Sequence, residues 1–226
     1  MPDLAASLAM TAALCTYEGA VYATGVATSL DSGEIQYCEY HLPSVNNSRR
    51  VLYYSASGHK IAEKYVTGID NTRPQFQQHD IRQGEERQIS LQGQRLKLAY
   101  RKNATAPWQF SLISARDVDV ADAGFDVFVR EQWAHLAAGR TVQFQFASPL
   151  HGRSIKLRAR KIPCRESDTP SLCLKVDLAQ PLLRIFVGDL YLVYDKASRR
   201  LRLFEGVVNL LSDSGISQRL TIHYSY

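Results

Sequence analysis

The feature that most narrows the fold is a two-residue alternation of apolar and polar side chains that recurs along the chain. In Gln94 to Tyr100, Leu96, Leu98 and Tyr100 oppose Arg95 and Lys97; in Thr141 to Phe146, Val142, Phe144 and Phe146 oppose Gln143 and Gln145. The pattern returns with Ile155 and Leu157, with Leu174, Val176 and Leu178, with Leu201 and Leu203, and with Leu220, Ile222 and Tyr224. A period of two places each set on one side of a strand, and one dry face with one wet face is the pattern of an antiparallel sheet. Short turn signals stand between the segments: Asp31-Ser32-Gly33, Ser57-Gly58, Gln83-Gly84 and Gln92-Gly93. Strands joined this way, without repeated helical crossovers, exclude a Rossmann or TIM arrangement. A sheet of about ten strands curls, splits or closes. The expected fold is therefore mainly β: a single strongly curved antiparallel sheet or partial barrel with one mid-chain helix packed on its concave face.

That helix is expected over Asp122 to Gly139. Phe125, Phe128, Val129, Trp133 and Leu136 form one stripe at 3.6 residues per turn. Asp122 is expected as its N-cap and Gly139 as its C-terminal stop. Burying each aromatic ring contributes roughly 1.5–3 kcal/mol, so the stripe calls for a broad apolar partner. Gln132 falls in the middle of it. It reads either as a buried amide bonded to backbone or, with Phe128 and Trp133, as a contact inside a ligand cavity.

The chain of 226 residues carries a net charge of +5, which fits solubility without demanding an anionic partner. It holds no apolar window long enough for a membrane-spanning helix. Residues 1–15 read as a signal remnant or N-terminal tail, through the Ala-rich Leu4 to Leu14, and residues 16–226 as one β-rich domain. Export, to the periplasm or a similar compartment, is the expectation; a cytoplasmic location is the alternative. Of the four cysteines, Cys164 and Cys173 bracket a polar loop between two strands and are a candidate disulfide. Their spacing fits no metal motif, and neither a metal nor another cofactor is expected.

Catalytic motifs are missing: there is no GxSxG, HExxH, P-loop or GxGxxG. Asp117, Asp119, Asp122 and Asp126 lack the glycine and closing glutamate of a calcium loop. Asp117 and Asp119 are expected on one strand face. Lys156, Arg158 and Arg160 line one strand and Arg199, Arg200 and Arg202 another; if these strands are neighbours, a basic patch results. Nucleic acid is not expected, because the aromatics fall on the opposite faces.

The segments AGFDVFVREQWAHLAAG, TVQFQFASP and LYLVYDKASRRLRLFEGVVNLLSDSG, with YEGAVY and DSGEIQYCEY, resemble an uncharacterised family of exported bacterial proteins. The closing strand–turn–strand pattern also resembles, in architecture, the half-barrel carriers of the LolA/LolB type. That likeness implies a concave sheet holding acyl chains. The combined reading is a non-catalytic envelope protein binding a lipid-like or other hydrophobic ligand between sheet and helix, with Phe128, Gln132 and Trp133 as contacts. The alternatives are an adaptor holding an anionic partner on basic strand faces, and an enzyme of unrecognised type.

Overall fold

The computed structural model describes residues 15–165, 170–179 and 188–226. Among these, fifteen strands form one sheet. The first eight are β1 (Ala23–Ser29), β2 (Ile35–His41), β3 (Ser48–Ser55), β4 (Lys60–Thr67), β5 (Gln75–Asp80), β6 (Glu85–Gln92), β7 (Arg95–Arg101) and β8 (Gln109–Ser114). After a short crossover come β9 (Val120–Ala121) and the helices α1 (Gly124–Glu131) and α2 (Trp133–Ala137). The chain finishes with β10 (Val142–Ser148), β11 (Arg153–Lys161), β12 (Ser171–Leu178), β13 (Leu190–Asp195), β14 (Leu201–Leu211) and β15 (Ser217–Ser225).

Apart from β8 and β9, each strand pairs with its neighbour in sequence, and β1 pairs antiparallel with β15, so the first and last strands meet in mid-sheet. This leaves β8 at one edge and β9 at the other. Laid flat at about 4.8 Å per strand, the edges would stand almost 70 Å apart. The chain from Ser114 to Val120 reaches only about 20 Å. The sheet must therefore roll until its edges approach. Contacts across the roll show that it does. Gln78 of β5 donates to the Asn209 carbonyl of β14 (3.2 Å), and Arg82 donates to the Leu211 carbonyl (2.8 Å). The Ala121 amide donates to the Thr72 carbonyl (2.8 Å). The expected curved antiparallel sheet with a helix on its concave side is thus the observed architecture; the pairing of β9 with β10 is parallel. No helix among the described residues is long and apolar enough to cross a membrane.

The helical region departs from expectation in two ways. It is two short helices that join at Gln132, where the backbone leaves helical geometry (φ −86°, ψ 8°). Asp122 is not the N-cap: Ala123 occupies that position, and Asp122 takes a left-handed conformation (φ 37°). Its carboxylate instead accepts from Lys64 Nζ of β4 at 2.8 Å and Asn209 Nδ2 of β14 at 3.1 Å. A buried cation thus takes the carboxylate away from the first-turn amides. Gly139 does end the helical region with positive φ (81°). Gly124 is required at the entry, because a Cβ there would lie 2.1 Å from the Thr72 carbonyl oxygen.

The convex side carries two apolar patches, each held by a disulfide. Cys15 is bonded to Cys38 of β2 and sits with Tyr40 and Leu52. Cys164 is bonded to Cys173 of β12 beside Tyr191 and Val193. Residues 1–14 of the expected signal or tail lie outside the described residues, whereas Cys15 is tied into the sheet.

Candidate functional site

The helix stripe meets the wall formed by β10 to β14. Phe128 is buried, with its ring 4.8 Å from Phe144 of β10; Phe125 lies 5.7 Å from the same ring. Val129 and Leu136 are wholly enclosed, with Leu172, Leu174 and Leu192 across from them. Trp133 is half-buried and meets Tyr194 of β13 edge to face at 6.1 Å. The Arg199 guanidinium sits over the indole at 5.4 Å. Gln132, also half-buried, is where the two helices part: its amide donates to the Phe128 carbonyl and its carbonyl accepts from the Leu136 amide. Side chains fill the space between helix and sheet. Two open surface depressions lie elsewhere. One of about 400 Å³ is lined by Lys97, Phe110 and Leu112, and one of about 230 Å³ by Arg50, Glu63, Gln77 and His79.

A second feature was missed in the sequence: a band of polar side chains crossing the sheet from β15 to β7. The register aligns Tyr224, Gly25, Glu39, Tyr53, Ala62, Asp80 and Glu85 across seven strands. A parallel row aligns Lys64, Gln78, Arg87 and Tyr100. Glu39 is buried, and its Oε2 accepts from the Tyr224 hydroxyl at 3.1 Å and meets His41 Nε2 at 3.1 Å. Gly25 makes this bridge possible: a Cβ there would fall 2.9 Å from the Tyr224 ring and 3.2 Å from Glu39 Oε2. Burial, and secondarily the Glu39 charge, holds the hydroxyls of Tyr37, Tyr53 and Tyr224 neutral well above the usual phenol range. Burial also raises the Glu85 carboxyl, against the pull of Arg87 at 2.7 Å. The available signal was parity. Glu39 follows Tyr37 by two, and Lys64 lies between Ala62 and Val66 at spacings of two, so both fall on the apolar side of their strands. Glu39, Lys64, Gln78, Asp80 and Glu85 each make a polar contact, although Gln78 Oε1 and Glu85 Oε2 are buried without one, and the band reads as an internal brace.

Other expectations are corrected. The basic strands are not neighbours, because β12 and β13 separate β11 from β14. Arg158 and Arg160 both turn to Asp177 of β12, so their charge is partly neutralised within the sheet. Asp117 lies in a single 3₁₀ turn and Asp119 follows it, so the two share no strand. Asp119 accepts from the Gln145 amide at 2.7 Å. No metal-ligating cluster of His, Cys, Asp or Glu occurs among the described residues.

Two disulfides among the described residues suit an oxidising environment, since such bonds are kept reduced in most cytosols. No family model and no curated protein matches the chain. Among solved structures, the crystal structure of a β-barrel-like protein of domain of unknown function DUF1849 from Brucella abortus is similar, with a TM-score of 0.51 and 6% sequence identity. The match covers 92% of this chain and 99% of that one. At this identity the likeness is one of fold, and the chain is accordingly a β-rich protein with a barrel-like sheet.

Proposed function

We propose that this is a non-catalytic binding protein of an exported, oxidising compartment, and that its ligand is a lipid-like or other hydrophobic molecule engaged between α1–α2 and the wall of β10 to β14. The observation that carries the reading is the nature of that contact. Among the described residues the helices meet the sheet mainly through apolar packing of Phe125, Phe128, Val129, Trp133 and Leu136, with few polar links: Lys161 Nζ donates to the Ala137 carbonyl (3.2 Å), and Asp126 of α1 lies beside the buried Tyr194 hydroxyl. Apolar burial is non-directional, so an acyl chain can replace most of it, at a cost of about 0.5–1.5 kcal/mol for each aromatic pair broken. A hydrogen-bonded seam has no such substitute. The break at Gln132 gives α2 a hinge relative to α1. Since the space is filled, binding on this account displaces the helices from the wall.

The test uses two measurements on the whole chain purified from its own host. Mass spectrometry of an organic extract should find a stoichiometric lipid-like molecule. Replacing Trp108 by Phe leaves Trp133 as the sole indole, whose emission should shift when an oleate-type ligand is added. An empty extract together with unchanged Trp133 emission overturns the reading.

A further inference from the structure

Several arginines in this protein are matched to carboxylates. Arg50 meets Glu63, Arg82 meets Asp80, Arg87 meets Glu85, Arg101 meets Glu86 and Arg165 meets Glu205. At one end of the rolled sheet two others stand differently. Arg49 of β3 and Arg200, which leads into β14, have no carboxylate partner among the described residues. Both lie against aromatic rings. The Arg49 guanidinium stands 4.0 Å from the Tyr22 ring, and that of Arg200 stands 4.7 Å from Tyr226 and 5.8 Å from Tyr22. The two tyrosines meet edge to face at 5.6 Å, and Tyr226 is pinned by its hydroxyl to the Leu201 carbonyl at 3.0 Å. Two unpaired cations therefore lie within 6 Å of a single ring.

We propose that this pair is an anion site, built for the phosphate group of an amphiphile, with Arg49 and Arg200 as its cations and Tyr22 and Tyr226 as its walls. Three observations carry it. Nε of Arg49 is buried and has no acceptor, and a buried N–H in that position calls for a partner. A guanidinium stacked on a ring keeps its in-plane N–H fork free, which matches two phosphate oxygens. Finally, Arg199, the neighbour of Arg200, covers Trp133, so one turn joins the cation pair to the end of the aromatic helix stripe. Tyr22 and Tyr226 are 38% and 48% exposed, leaving the rings open to a ligand from solvent. Asp126 of α1, whose charge acts on Tyr226, is paired with Arg130. The inference rests on the hydrophobic-ligand reading for the tail and adds the chemistry of the head.

The experiment compares wild type with Arg49→Gln/Arg200→Gln and with Trp133→Leu by calorimetry, after circular dichroism shows each variant folded. The probes are inorganic phosphate, dihexanoyl phosphatidic acid and dihexanoyl phosphatidylcholine. Phosphatidic acid should bind wild type most tightly. The double arginine variant should lose at least about tenfold for each guanidinium removed, while Trp133→Leu should retain phosphate binding and lose the added affinity of the acyl chains. Phosphate and phosphatidic acid binding equally to wild type supports the anion site and overturns the acyl-chain reading. Phosphatidic acid binding equally to wild type and to the arginine variant overturns the anion site and spares the other reading. No binding of either phosphate probe above phosphatidylcholine overturns the anion site outright.

Discussion

Raising the pH past 10 should unfold this protein in a cooperative step, and the slope can be worked from three side chains. Tyr37, Tyr53 and Tyr194 are 2%, 5% and 0% exposed, and burial is the leading reason that each holds its hydroxyl neutral well above the usual range. In the unfolded chain a phenol ionises near about 10. Below that pH both states keep the proton, and the stabilisation is fully present. Above it the unfolded chain releases protons that the folded chain retains, so stability falls as pH rises. Each such tyrosine contributes a slope of about 1.4 kcal/mol per pH unit, hence about 4 kcal/mol per unit for three. A total stability on the order of 5–15 kcal/mol is then exhausted about one to four units above pH 10. Phenolate absorbance and far-ultraviolet circular dichroism, recorded on freshly jumped samples, provide the check. A late absorbance step should coincide with loss of the sheet signal. Tyr53→Phe should reduce the alkaline slope by about 1.4 kcal/mol per pH unit. If all 12 tyrosines titrate together near pH 10 while the dichroism stays intact, the reasoning fails.

Lys64 and Asp122 form a pair 6% and 10% exposed at the side chains. Lys64→Met should cost about 3–5 kcal/mol by stranding the carboxylate, and adding Asp122→Asn should recover much of it in urea denaturation, because the amide suits the left-handed backbone and carries no charge. Gly124→Ala should lower stability by about 3 kcal/mol, since the added methyl meets backbone that is itself bonded to Ala121; a thermal midpoint equal to wild type would refute the packing. The Cys15–Cys38 bond closes 23 residues and the Cys164–Cys173 bond closes 9. Chain entropy therefore predicts losses of about 3.5 and about 2.7 kcal/mol when each pair is replaced by serine, with the order of the two midpoints as the check.

The alternation in segments such as Gln94–Tyr100 and Thr141–Phe146 was enough to read an antiparallel sheet, because side-chain direction along a strand depends on parity alone. The stripe of Phe125, Phe128 and Trp133 was likewise enough to place a helix against that sheet. Its division at Gln132 was not legible, because a single turn of altered backbone leaves the periodicity almost unchanged. Nor was the role of Asp122, which by local chemistry is a good cap and is diverted only because Lys64, 58 positions away in sequence, needs a counter-charge in a buried place. The polar band around Glu39 was hidden for a related reason: a charged residue on the dry side of a strand looks like an error in the pattern until the register sets Tyr53 beside it and Tyr224 across Gly25. The sequence by itself determined which faces are dry and where the chain turns, since both are local properties. Only the tertiary structure decided that strands one and fifteen pair, that the sheet rolls until Arg49 and Arg200 share a rim, and which charges meet inside, since these depend on distances between residues that the chain order leaves far apart.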